Sequence, residues 1–133
     1  MENEKSIFEI AKQNFEKWNG LLQTKNPEEV AKLYTEDSTF LPTMSSDFKF
    51  GIEGAKDYFE HFVKKNPFGT IVEEKVQAIR SLSLESYVHS GLYNFEVGEK
   101  ANREIVQARF TFVWSKINGE WKIIHHHSSV KPK

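Results

Sequence analysis

The chain has 133 residues, enough for one domain (1–133) with a continuous core, and 14% of them are aromatic: eleven Phe, four Tyr and three Trp. Eighteen Lys and Arg nearly balance nineteen Asp and Glu, leaving a formal charge of -1 with no basic block, which argues against a nucleic-acid partner. With no cysteine, disulfides and thiol chemistry are excluded, and a reducing, cytoplasmic setting is expected.

The polar opening Met1-Glu2-Asn3-Glu4-Lys5 leads into an amphipathic segment, so neither a signal peptide nor a membrane partner is predicted. Ser6 with Glu9 makes a capping-box pattern, and Phe8, Ala11, Phe15, Trp18 and Leu22 recur at helical spacing. This predicts a long first helix. Asn26-Pro27-Glu28-Glu29 then supplies a cap, a first-turn proline and two acids facing the helix dipole, with Val30, Leu33 and Tyr34 as the buried stripe of a short second helix. Asp37 to Pro42 is β-prone and reads as a short edge strand, closed into a loop by Pro42, Ser45, Ser46 and Asp47. From about Gly54 to Lys65, Ala55, Tyr58, Phe59, Phe62 and Val63 predict a third helix, stopped by Asn66-Pro67-Phe68-Gly69.

The remainder reads as strands over 70–79, 84–97, 104–116 and 120–129. Asn118-Gly119 tolerates positive φ and predicts a tight hairpin turn between the last two. Only the first few residues and Val130 to Lys133 read as frayed ends. Helices followed by an antiparallel sheet predict an α+β domain. Side-chain alternation puts His125 and His127 on one face of the last strand, and His126 with Ile124 and Ser128 on the other.

That histidine triplet invites three readings. Two imidazoles from one face suit a transition metal, yet no acidic or cysteine partner stands at a recognisable spacing, so no metal site is assigned. His126 beside Ser128 suits an acid/base role if a reaction is catalysed, and a hydrogen-bonded structural role otherwise. Tyr58 orients a substrate oxygen or is a core residue of the third helix, and His61, three residues on, shares its face or sits at the edge. Arg109 pairs with Glu96 or Glu104 across the sheet, or holds an anionic ligand. Asp37 is a base or satisfies free backbone groups, and Trp18 is core or pocket wall. No nucleophile elbow, phosphate loop, dinucleotide fingerprint or zinc-protease motif is present, and no cofactor is expected.

Several stretches carry a family resemblance. Trp18-Asn19-Gly20-Leu21-Leu22, the run from Ala31 to Thr43, Ile52-Glu53-Gly54 with Tyr58-Phe59-Glu60-His61-Phe62, Gly91 to Phe95, Ala108 to Trp114 and His126-His127-Ser128-Ser129 resemble SgcJ/EcaC-type members of the nuclear transport factor 2 and SnoaL superfamily. Val113-Trp114, Trp121 and His125-His126-His127 are also similar to the ending of the calcium/calmodulin-dependent protein kinase II association, or hub, domain. The resemblance implies a cone-shaped, cystatin-like α+β fold, three N-terminal helices on a curved, mixed but mainly antiparallel sheet, and self-assembly into a dimer or larger ring. Hub domains line their pocket with arginines. The matching positions here fall near Phe112, Ser128 and His89 or Ser90, so the implied pocket is aromatic and imidazole-like rather than cationic. The expected pocket residues are Trp18, Tyr58, His61, Arg109, Phe112, His126 and Ser128. The expected function is a non-catalytic, homo-oligomeric hub-like assembly domain with a small-molecule pocket. The alternative is a cofactor-independent isomerase, cyclase or dehydratase acting on a small hydrophobic substrate by proton transfer through His126.

Overall fold

The structure, a computed structural model, describes residues 6–43, 45–72 and 77–132. Helix α1 (Ile7–Gln23) starts where Ser6 Oγ accepts the Glu9 amide at 3.1 Å, as the capping box predicts, and buries Ala11, Asn14, Phe15, Trp18 and Leu22. Phe8, expected on that stripe, is 44% exposed and lines an open depression with Phe15, Ile71 and Ile79. Helix α2 (Pro27–Ala31) is capped by Asn26 Oδ1 and ends before Tyr34, which opens strand β1 (Tyr34–Leu41) instead of closing the helix. Strand β2 (Lys49–Phe50) is brief, and helix α3 (Gly51–Phe62) begins three residues earlier than the periodicity implies before tightening into a single 3₁₀ turn at Val63–Lys65.

Strands β3 (Phe68–Ile71), β4 (Gln77–Ser83), β5 (Ser86–Val97), β6 (Glu104–Ile117) and β7 (Glu120–Val130) follow. The single strand expected over 70–79 is two strands, and its middle, residues 73–76, lies outside the described residues. Asn118 and Gly119 both have positive φ, 53° and 82°, so the β6–β7 hairpin closes through the turn the sequence predicts. Val130 is not frayed: it pairs with Ala108.

The sheet runs β2-β1-β7-β6-β5-β3, with β4 also pairing β5 beyond the end of β3. Strand β1 is therefore not at the edge. It lies parallel to β7 and antiparallel to β2, while the other pairs are antiparallel, giving a mixed sheet. The interior positions of β5, β6 and β7 meet the buried faces of α1 and α3, and the core is built mainly from rings. No helix among the described residues is long and apolar enough to cross a membrane.

Gly51 fixes the seat of α3. Its φ of +71° belongs to the left-handed region, and a Cβ there would stand 2.6 Å from the Glu36 carbonyl oxygen of β1. Gly51→Ala is expected to lower the unfolding free energy by about 2 kcal/mol through strain and this clash. Urea denaturation checks it, and an alanine variant of unchanged stability would contradict the close approach.

Candidate functional site

Inward residues of four strands and two helices enclose a narrow cavity of about 110 Å³. Its apolar wall comes from Trp18 of α1, Phe59 and Phe62 of α3, Phe40 of β1 and Phe95 of β5. Polar groups gather on one side, where Tyr58, Tyr93, His126, Ser128 and Thr43 converge. Lys65 and Glu104, both exposed, stand at the mouth with opposite charges.

His126 occupies the centre of this arrangement for a reason written into strand register. Its direct partners are Phe112 on β6 and Phe40 on β1, and their rings stack on the imidazole at 4.0 Å and 4.7 Å between centroids. Trp18 meets the same ring edge-on at 5.6 Å. Both ring nitrogens are engaged: Nδ1 lies 2.9 Å from the Tyr34 hydroxyl and Nε2 lies 3.3 Å from that of Tyr93. Trp18 Nε1 donates to Tyr34 Oη at 3.1 Å, Tyr93 donates to Ser128 Oγ at 2.6 Å, and Ser128 bonds in turn to Thr43 Oγ1. Burial holds the His126 pKa well below its ordinary value, helped by its neighbours His125 and His127, so the ring is neutral at pH 7. Burial likewise raises the hydroxyl pKa values of Tyr34, Tyr58 and Tyr93, which stay protonated. The assembly is a neutral, fully bonded polar line behind an apolar cavity.

Of the residues predicted from sequence, Trp18, Tyr58, His126 and Ser128 line this cavity, and Tyr58 donates to the Thr43 carbonyl at 3.0 Å. Phe112 stands behind it as the stacking partner of His126. Arg109 does not face it. Ala108, Phe110, Phe112 and Trp114 take the inward positions of β6, so Arg109 projects from the opposite face and reaches Ser129 Oγ at 3.1 Å. The expected pair with Glu96 or Glu104 is replaced by Arg103, whose Nε is 3.9 Å from Glu96. Arg103 also donates to the carbonyls of Asn66, Glu96 and Gly98, tying together the segments beside the cavity mouth. His61 lies outside as well, because Phe62 takes the inward place on α3 and turns His61 to an exposed depression shared with Lys49 and Asp57. Asp37 is exposed and accepts from Thr35 Oγ1 at 2.8 Å.

The alternation expected along β7 breaks at Ile124. Val113 pairs with His125 and Trp114 with Ile123, so Ile124 is an extra residue, and Ile123 rather than Ile124 shares the buried side with His126 and Ser128. His125 and His127 occupy the outer face, where His125 Nδ1 lies 2.7 Å from Thr39 Oγ1. Among the described residues no three His, Asp or Glu side chains converge on a point where a metal ion would sit. Phe40, Thr43 and Tyr93 are site residues whose one sequence signal is the family-like stretches in which they fall, while helical spacing marks Tyr34 as buried but not as a partner of His126.

Helices packed on one side of an open mixed sheet, around a cavity lined from both layers, define the nuclear transport factor 2-like, cystatin-like fold. The model of the calcium/calmodulin dependent protein kinase II association domain matches residues 7–132, and the chain belongs to that family. A Xanthomonas campestris structure named for the same domain is 40% identical, with 98% of this chain and 91% of that chain covered at a TM-score of 0.89. A nuclear transport factor 2-like protein of Salmonella enterica serovar Typhimurium is 17% identical over 96% of this chain and 92% of that one, with a TM-score of 0.76. A Catenulispora acidiphila protein solved in complex with S-DNPA is 13% identical, with coverage of 93% and 92% and a TM-score of 0.78. No curated protein sequence matches the chain.

Proposed function

We propose that this chain is a non-catalytic, homo-oligomeric assembly domain of the cytoplasm whose cavity binds a small molecule. The observation that carries the assembly reading is the face of the sheet turned away from the helices. On it Val88, Val113 and His125 form one cross-strand row, which Arg80 of β4 extends at its end, and Ser90, Thr111 and His127 form the next; the six residues of β5, β6 and β7 include no Lys, Arg, Asp or Glu. Most of these six side chains are half-buried even in the single chain. A charge-poor centre on an antiparallel surface suits a second copy of itself, and membership of the association-domain family supports that use.

Binding without chemistry is favoured at the cavity because His126 has no free lone pair to offer a substrate. Tyr34 occupies Nδ1, and Nε2 is turned to Tyr93. The complex of the Catenulispora relative with a small molecule supports a ligand in this fold.

Thr111→Glu tests the assembly face, since it places a carboxylate at the centre of the row where a partner would have to desolvate it. Light scattering is expected to give an oligomer for the unaltered chain and a mass near 15.5 kDa for the variant. An unchanged oligomer would move the interface elsewhere, and a 15.5 kDa mass for the unaltered chain would end the assembly reading.

A further inference from the structure

The polar line beside the cavity carries a proton count that constrains what the cavity can hold. Trp18, Tyr34, His126, Tyr93, Ser128 and Thr43 follow one another through five hydrogen bonds. With a neutral imidazole, each of these six side chains brings one polar hydrogen, so one hydrogen is left over.

Trp18 decides which end keeps it. An indole N–H donates and cannot accept, so it fills the first link, and the Tyr34 hydroxyl gives its own hydrogen to His126 Nδ1. The imidazole proton then sits on Nε2, directed at Tyr93, and Tyr93 donates to Ser128. The surplus hydrogen falls on the Ser128–Thr43 pair, and both residues line the cavity. A ligand that offers no acceptor there leaves this hydrogen unpaired in a largely buried site, and an unpaired buried donor weakens binding by roughly ten- to a hundredfold.

Size and charge narrow the class further. The cavity, about 110 Å³, is somewhat smaller than the engineered apolar cavity of ~150 Å³ that takes up benzene, but it opens at its mouth, leaving room for about one small ring. Among the described lining residues Lys65 is the one cation; it is exposed and offset by Glu104, so an anion at the Ser128–Thr43 end would be desolvated without a buried partner. We infer that the cavity is built for a small neutral compound of about one ring that presents an oxygen acceptor, such as a ketone or an ether, to Ser128 and Thr43. This rests on the reading of the cavity as a ligand pocket.

Cyclohexanone, cyclohexanol, methylcyclohexane and cyclohexanecarboxylate, titrated into the full chain and followed by NMR shifts of the aromatic side chains, test the inference. Infrared spectroscopy of bound cyclohexanone adds a direct readout. Cyclohexanone is expected to bind about tenfold more tightly than methylcyclohexane, and cyclohexanol, whose oxygen also accepts, to bind as well. The carbonyl stretch of the bound ketone is expected below its value in hexane, and to shift in the combined Thr43→Val, Ser128→Ala variant, which leaves the Tyr93 hydroxyl as the donor. A bound ketone whose stretch matches hexane in the unaltered protein overturns the acceptor inference and leaves the pocket standing. Tighter binding of the carboxylate overturns its neutrality. If none of the rings binds, the pocket reading fails and takes the inference with it.

Discussion

Lowering the pH from 7 to 4.5 is expected to reduce the unfolding free energy by about 2 kcal/mol through the buried imidazole of His89, with that of His126 adding to the loss. His126 is enclosed by Phe40, Phe112 and Trp18, and burial keeps it neutral. His89 on β5 is 1% exposed, bonds through Nε2 to Gln77 Oε1 at 2.8 Å, and has its pKa lowered to about 4 by burial. In the unfolded chain both regain their ordinary value near 6.5, so below that pH the unfolded state takes up protons that the folded state refuses. Stability is therefore full above pH 6.5 and falls as the pH drops. The His89 share is exhausted near pH 4, where the folded chain also protonates it, and His126 acts in the same direction. Each imidazole contributes a slope of about 1.4 kcal/mol per pH unit, and His125, also lowered by burial, acts in the same direction. Urea denaturation across this range at fixed protein concentration gives the measurement. His89→Gln is expected to make the slope shallower; a flat profile in the unaltered protein would show that neither ring is buried as described.

Trp18→Ala is expected to cost about 4 kcal/mol, in the range of large aromatic truncations in well-packed cores. The indole is 1% exposed and has Phe15, Phe59, Tyr93, Phe95, Phe112 and His126 around it, with centroid separations from 5.2 to 6.4 Å. Removing it enlarges the cavity and leaves these rings without a common neighbour. Trp18→Phe keeps much of the packing and loses the donor to Tyr34, so about 1 kcal/mol is expected there. The difference between the two variants, read from denaturation midpoints, separates ring contact from hydrogen bonding. A loss under about 1 kcal/mol for Trp18→Ala would contradict its place at the centre of the core.

Local chemistry makes the helices and the last hairpin readable in the sequence. Ser6 and Asn26 cap the helices they are expected to cap, and Asn118-Gly119 turns as its tolerance for positive φ demands. What period-two reasoning misses is equally local in origin. One extra residue at Ile124 slides the inner face of β7 by one position, and nothing in a run of Ile and His announces where a bulge falls. Arg109 is legible only through strand parity, since an arginine between Ala108 and Phe110 must point outward once those two residues face the helices. Tyr34 escapes for a different reason. Helical spacing from Val30 gives it a place on α2, whereas its partner His126 is 92 residues away, and long-range contacts of this kind leave no periodic trace. The family-like stretches carry the rest, which is why the cavity's neighbourhood is easier to anticipate than the identity of its polar partners.

The parallel pairing of β1 with β7 also governs how the molecule comes together in time. Strand β1 is made well before its register partner, and the contacts joining them span 86 to 92 residues. Closing so long a loop opposes early pairing, which places this chain among topologies expected to fold slowly for their size. Until β7 docks, the rings of Tyr34 and Phe40 lack the imidazole that packs against them, and β1 has an open edge. The cavity is thus expected to be the last part of the fold to form, so that its walls close only when folding is complete.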